Sequence, residues 1–204
     1  SHEATEVPGQ QKETVMRKLI AGVGALMFAF VLGRLSAQDI QPSCKMCPST
    51  YVSAEELQAY VKVATETGAV DQQVRSLDVG KTNLQVAMVR RGKLDTPGAR
   101  SVAEHDLVTE VYYIISGSGT HVSGPDLVGK VRRPADNNAV RMLNGPGNNA
   151  ESIRNGTTHQ FKQGDVFVIP AGTGHQFMRI DDHITYLMVR VDPDKVVPLM
   201  DETA

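Results

Sequence analysis

The chain has 204 residues, 41% hydrophobic and 22% charged, with a net charge of −2, the proportions of a globular protein with one sizeable domain and a small appendage. That charge leaves no electrostatic footprint for nucleic acid, and 5% aromatics with no interleaved basic run exclude a base-stacking platform. The 18 glycines favour tight turns between short strands.

The polar stretch Ser1 to Val15 comes first. Met16-Arg17-Lys18 then leads into an apolar run from Leu19 to Leu32, broken by Gly33-Arg34 and closed by Leu35-Ser36-Ala37. A basic start, a short apolar stretch and small residues at its end predict a secretory signal, so residues 1–37 are read as an N-terminal extension and export segment. The run falls short of the roughly 20 residues of a spanning helix, so any membrane contact is confined to this segment left uncleaved. The mature protein is expected to be periplasmic or secreted.

Residues 38–73 read as a linker with one helix. Cys44-Lys-Met-Cys47 is half of a zinc-ribbon pattern at most, and no His follows it for haem attachment. A small disulfide suits an oxidising compartment, with a redox or metal role as the alternative. Ser53-Ala-Glu-Glu56 reads as a capping box, Leu57, Tyr60, Val61 and Ala64 follow at helical spacing, and Gly68 suits the stop, predicting a helix from about Ala54 to Thr67.

From Val74 to about residue 195 the pattern is β, followed by a tail over 196–204. Leu84, Val86 and Met88 alternate with their neighbours. Val111 to Ser116 reads as a strand ended by Gly117-Ser118-Gly119, Asp165 to Ile169 as one ended by Pro170-Ala-Gly172, and Ile184 to Val191 as another. Short strands with glycine-rich turns predict an all-β sandwich or small barrel. The stretch Gly124 to Gly156 is rich in Gly, Pro and Asn and reads as a loop over a barrel mouth. It ends on Asn155-Gly156-Thr157, an N-glycosylation acceptor pattern.

Two blocks carry chemistry: His105-Asp-Leu-Val-Thr-Glu110-Val-Tyr-Tyr-Ile-Ile-Ser-Gly117, and Gly164-Asp-Val-Phe-Val-Ile-Pro170-Ala-Gly172-Thr-Gly-His175. If Glu110 faces inward, the two-residue period of a strand puts Tyr112, Ile114 and Ser116 on the same face. An inward carboxylate needs a partner or a metal. Two neutral imidazoles and one carboxylate suit a divalent first-row metal with open positions, and three protein ligands suffice for a catalytic one.

These blocks resemble the paired motifs of the cupin superfamily. Its first motif runs Gly, five residues, His-x-His, three or four residues, Glu, six residues, Gly. His105 falls on the second His, Glu110 on the Glu and Gly117 on the closing Gly. Its second motif runs Gly, five to seven residues, Pro-x-Gly, two residues, His, and Gly164, Pro170, Gly172 and His175 fit. The resemblance implies a cupin-type β-barrel (double-stranded β-helix or jelly roll). It also implies a transition metal (Fe, Mn, Zn or Ni) held by His105, Glu110 and His175, a small-molecule ligand or substrate, and a homodimer. The first His position holds Ala103, Gly98 is one residue off the opening Gly, and the final Asn position of the second motif holds Arg179. His121 and His159 are the candidates for a further ligand. Tyr112 is read as a phenol that orients substrate or moves a proton, and Arg179, if inward, as an anion binder. The readings that follow are a metal-dependent enzyme of dioxygenase, isomerase or lyase type, a non-catalytic binding or sensing barrel, or a structural barrel with an empty site.

Overall fold

The computed structural model describes residues 13, 16–21, 23 and 41–200. The chain divides into two units, residues 1–42 and 43–204. In the first, residues 16–21 are helical and exposed, and most of the expected export segment lies outside the described residues. No helix among the described residues is long and apolar enough to cross a membrane.

The second unit opens with Cys44 and Cys47 joined as a disulfide. Helix α1 (Ala54–Thr67) has the expected bounds. The Ser53 hydroxyl accepts from the Glu56 N–H at 3.1 Å, and Gly68, at φ +75°, donates to the Ala64 carbonyl. The capping box closes only on this side, because the Glu56 carboxylate turns to Arg75 at 2.8 Å. That ion pair, with the Gln72 amide donating to the Tyr60 carbonyl at 2.7 Å, fastens α1 to the first strand.

Twelve strands follow: β1 (Asp71–Asp78), β2 (Asn83–Arg91), β3 (Val102–His105), β4 (Thr109–Gly124), β5 (Leu127–Val128), β6 (Val131–Arg132), β7 (Gly147–Ala150), β8 (Ser152–Ile153), β9 (Thr157–Lys162), β10 (Val166–Ile169), β11 (Gly174–Arg179) and β12 (Ile184–Asp192). β5 and β8 pair with each other. The other ten form one antiparallel network in the order β1-β2-β12-β4-β11-β3-β7-β6, with β9 and β10 also on β4. The first strand starts three residues before the expected Val74. The tail is tied in as far as Val197, a buried residue whose N–H donates to the Asp192 carboxylate at 2.9 Å.

β4 closes the barrel. Its first half pairs with β10 and β12, and its second half with β9 and β11. The glycine cluster therefore bends this strand where the sequence predicted an end. Gly117 sits at φ +78°, and a Cβ there would lie 1.9 Å from the His183 carbonyl oxygen, so only glycine lets β4 pass β12 at the corner.

Gly124 to Gly156 is also more than the expected loop. β7 pairs with all four residues of β3, a π-helical turn spans Val140–Asn144, and β5 to β8 pin the remainder. Asn155 sits at φ 53° in the exposed turn before β9.

Alternation decides what faces inward. Along β12, Ile184, Tyr186, Met188, Arg190 and Asp192 are buried, while Leu187, Val189 and Val191 are half-buried on the other face. Tyr112, Ile114, Ala87, Val89, Phe161, Phe177 and Ile180 complete an apolar core around them.

Candidate metal centre and cavity

The two motif blocks meet through the backbone. Gly172, at φ +80°, donates its N–H to the His105 carbonyl at 2.7 Å, and the Ala171 N–H donates to the Thr109 hydroxyl at 3.2 Å. This brings His175, the second residue of β11, opposite Ala103 on β3. Ala103 and His105 are two apart on one strand and share its inner face. Glu110, near the start of β4, faces the same space.

His105, Glu110 and His175 are buried, and one ligand atom from each lies within 4.8 Å of the other two. His105 Nε2 is 3.4 Å from Glu110 Oε1, and His175 Nε2 is 3.5 Å from Glu110 Oε2. His175 Nδ1 lies 3.3 Å from the Thr173 carbonyl. A carbonyl only accepts, so Nδ1 carries the proton and Nε2 presents a lone pair. Two lone pairs thus face each other between His175 and Glu110, which calls for a cation or a proton between them.

Charge is arranged to suit. Burial pushes the Glu110 carboxyl up, but His105, His175 and the Arg190 guanidinium outweigh it and hold the group well below the usual carboxylate range. Burial lowers His175 to about 4, so its imidazole is neutral at pH 7. An ionised carboxylate and a neutral imidazole are the forms that ligate a metal. Burial and the Glu110 charge keep the Tyr112 phenol protonated, and it donates to Glu110 Oε2 at 2.7 Å.

The residues therefore fit a divalent metal, with one opposing feature. Arg133 Nη1 lies 3.4 Å from His105 Nδ1. A guanidinium only donates, so this ring nitrogen is an acceptor and the His105 proton sits on Nε2, toward Glu110. A metal-bound imidazole normally donates its second N–H to a carboxylate, carbonyl or water. Binding metal through His105 Nε2 thus requires Arg133 to give way, against its bonds to the carbonyls of Glu104 (3.0 Å) and Asn148 (2.9 Å).

Several groups here escaped the sequence reading. Arg190, fully buried, donates through Nε to Glu110 Oε1 at 3.4 Å, pairs with Asp71 and reaches Gln73 Oε1 at 3.2 Å. Its signal was the alternation with Tyr186 and Met188, masked because Leu187, Val189 and Val191 offered an equally apolar opposite face. Arg133 and Asn144 reach the cluster from the 124–156 stretch, and nothing in their local sequence announces it.

The predicted site residues separate clearly. Tyr112 faces inward against Glu110. His121 is fully buried, stacked on Phe161 at 4.8 Å between ring centroids and 6.2 Å from the His175 ring, outside the ligand cluster. His159 is half-buried against Phe167 and also stands outside the cluster. Arg179 fails the condition on which its anion-binding reading rested, an inward side chain. β11 shifts register between Phe177 and Arg179, and Arg179 is exposed and paired with Asp181 at 2.7 Å.

Two adjoining hollows flank the cluster, of about 180 and about 70 Å³. They share Arg91, Ala103, Tyr112 and His175. The larger opens toward His121 and Phe177, and the smaller toward His105 and Glu110.

The Cupin family model matches residues 57–203, and the chain belongs to the cupin family. Its barrel is the double-stranded β-helix. Among solved structures, a protein of Bacillus halodurans is similar at 15% identity, covering 74% of this chain and 86% of that one, with a TM-score of 0.37. A cupin protein of Bacteroides fragilis shows 16% identity over 72% of this chain and 86% of its own, at a TM-score of 0.36. An RmlC-like cupin family protein from Methanocaldococcus jannaschii shows 11% identity over 74% and 97%, at 0.37. No curated protein matches the chain.

Proposed function

We propose that this cupin is an exported protein that holds a divalent first-row transition metal on His105, Glu110 and His175 and acts on a small molecule in the adjoining hollow. The observation that carries the reading is the convergence of three buried ligand atoms within 4.8 Å, two of them lone pairs facing across 3.5 Å. When bound, the metal would supply Lewis acidity or oxygen activation, as Fe, Mn, Zn or Ni. The chain's own groups then have distinct work. Tyr112 holds Glu110 in place and stores a proton beside it. The apolar walls exclude water, and the small methyl group of Ala103 leaves an approach to the site. A metal-dependent dioxygenase, isomerase or lyase is the class of enzyme this suits. A non-catalytic ligand-binding barrel is the second reading, favoured by Arg190 already engaging the only carboxylate among the three ligands.

Metal content of the purified chain, measured at pH 7.5 and again at pH 4, tests the centre. Occupancy is expected to fall at the lower pH, where a proton competes for the His175 imidazole that burial has lowered to about 4. His175→Ala should lose most of the metal. Ala103→His should tighten binding, because position 103 faces His175 directly across β3 and β11 and shares the inner face with His105. Unchanged affinity in both variants would leave the site to the binding-barrel reading. Export is tested separately by N-terminal sequencing of protein from its native host, where a mature start near Gln38 is expected and an intact cytoplasmic N-terminus would refute it.

A further inference from the structure

We infer that the larger hollow is a seat for a small carboxylate, anchored by Arg91 and hydrogen-bonded by His121. This deepens the reading of the hollow as the substrate chamber, by naming the class of molecule it takes.

Arg91 ends β2 and lines both hollows. Its one side-chain hydrogen bond among the described residues runs from Nε to the Tyr186 hydroxyl at 3.3 Å. No carboxylate of the described residues lies within ion-pair distance of it, although Asp71 and Glu110 occupy the same smaller hollow. Those acids are taken by Arg190. The guanidinium carbon of Arg91 sits 5.6 Å from the centre of the Phe177 ring, which orients the group and leaves both terminal nitrogens available. A planar fork with two free donors matches a carboxylate in bidentate geometry.

His121 supplies the second, independent observation. It is fully buried and lines the same hollow, and neither ring nitrogen has a hydrogen-bond partner. A neutral imidazole offers one donor and one acceptor, and buried polar groups are ordinarily paired. Both nitrogens left unpaired in an aromatic surround of Phe161, Phe167 and Phe177 point to a ligand that completes them.

Size and charge narrow the class. An apolar cavity of about 150 Å³ holds one benzene, so about 180 Å³ takes a molecule of roughly six to nine non-hydrogen atoms. One guanidinium among apolar walls suits a single carboxylate rather than a phosphate, which gathers several cationic or backbone donors. A hydroxyl or keto group beside that carboxylate would meet His121.

Isothermal titration of the full chain tests this with propionate, lactate and pyruvate, against propionamide and lactamide, with inorganic phosphate as a further probe. Each is run on metal-stripped and metal-loaded protein. The expected result is binding of the acids to the metal-stripped chain, at least tenfold tighter than the amides. Arg91→Gln should weaken the acids at least tenfold, and Arg91→Lys less. His121→Phe should erase any preference for lactate over propionate. Amides binding as well as acids, phosphate binding tighter than all three acids, or an unaffected Arg91→Gln would overturn the proposal. The comparison of acids with amides on the unaltered chain stands even where a variant fails to fold. Acids that bind only the metal-loaded chain, equally in Arg91→Gln, would place the anion on the metal and sink this seat while sparing the metal reading. Acids that bind a chain unable to take up metal would do the converse.

Discussion

At the scale of single residues, the buried polar groups of this barrel fall into satisfied and unsatisfied sets. Glu110 receives Tyr112 and Arg190, and Asp71 receives Arg190, so the deepest charges are paired. His121 belongs to the unsatisfied set, together with Gln85, which is as deeply buried and unpartnered at both amide atoms, and of the two it is the one that lines a hollow. Burial, followed by the charges of His175 and His159, lowers it to about 2 from an ordinary 6.5. In the folded chain it therefore stays neutral in mild acid, whereas in the unfolded chain it takes a proton below pH 6.5. Stability is unaffected above that pH and falls as pH drops below it, by about 2 kcal/mol at pH 5 from this residue alone. His121→Phe keeps the stacking on Phe161 and removes the proton site. Urea unfolding at pH 7.5 and pH 5 should show the gap between the two shrinking by about that amount. An undiminished gap would mean that the ring is reached by solvent.

Legibility differed sharply between residues. His105, Glu110 and His175 were readable because glycine and proline punctuation of fixed spacing surrounds them. Arg190 was not, because an isolated arginine on a strand ordinarily marks the solvent face, and only tertiary pairing reveals otherwise. Arg91, at the exposed end of β2, and Arg133, just past β6, carry no local signal of what they reach. The facing of Arg179 stayed open in the sequence, because a register shift in β11 that no local signal marks decides it and turns the side chain out.

At the scale of elements, local signals worked where the element is held locally. The bounds of α1 were readable because its cap, periodicity and stop are local, whereas the turn of Glu56 toward Arg75 was not, because that partner lies on β1. β7, Gly-Asn-Asn-Ala, has almost no intrinsic strand tendency, and it is a strand because β3 offers it a complete edge. The Gly117 cluster looks like a turn and acts as a hinge in β4. Gly117→Ala would force a side chain to within 1.9 Å of a backbone oxygen of His183, at a φ of +78° that L residues avoid. A loss of at least about 2 kcal/mol is expected, the sum of the strained φ and the displaced corner. The partner strand would move with it, so the loss should appear in both urea midpoint and hydrogen exchange of β12. A variant within 0.5 kcal/mol of the parent, a ~0.5 kcal/mol spread being that of ordinary surface changes, would show that β12 yields easily.

At the scale of the molecule, the inner and outer faces of the sheet have unlike needs. Inward, core and site compete for the same barrel. Outward, β10, β4 and β12 present two apolar rows, Val166-Tyr113-Leu187 and Val168-Val111-Val189, set by their pairing register. Val166, Val168 and Tyr113 are 63%, 54% and 49% exposed. Six apolar side chains in register on a sheet exceed the scattered exposure normal for a monomer. We propose that two copies pair through this face as a homodimer. Because a two-fold interface meets itself, one substitution acts twice. Val166→Lys places a charge in the first row of both copies, and since the side chain points away from the core, the barrel should keep its fold. Sedimentation velocity at about 20 µM, a concentration well above nanomolar-range dissociation constants of stable pairs, should give a dimer for the parent chain and a monomer for Val166→Lys, with unchanged circular dichroism. A monomeric parent, or a variant that stays dimeric, would move the interface elsewhere on the surface.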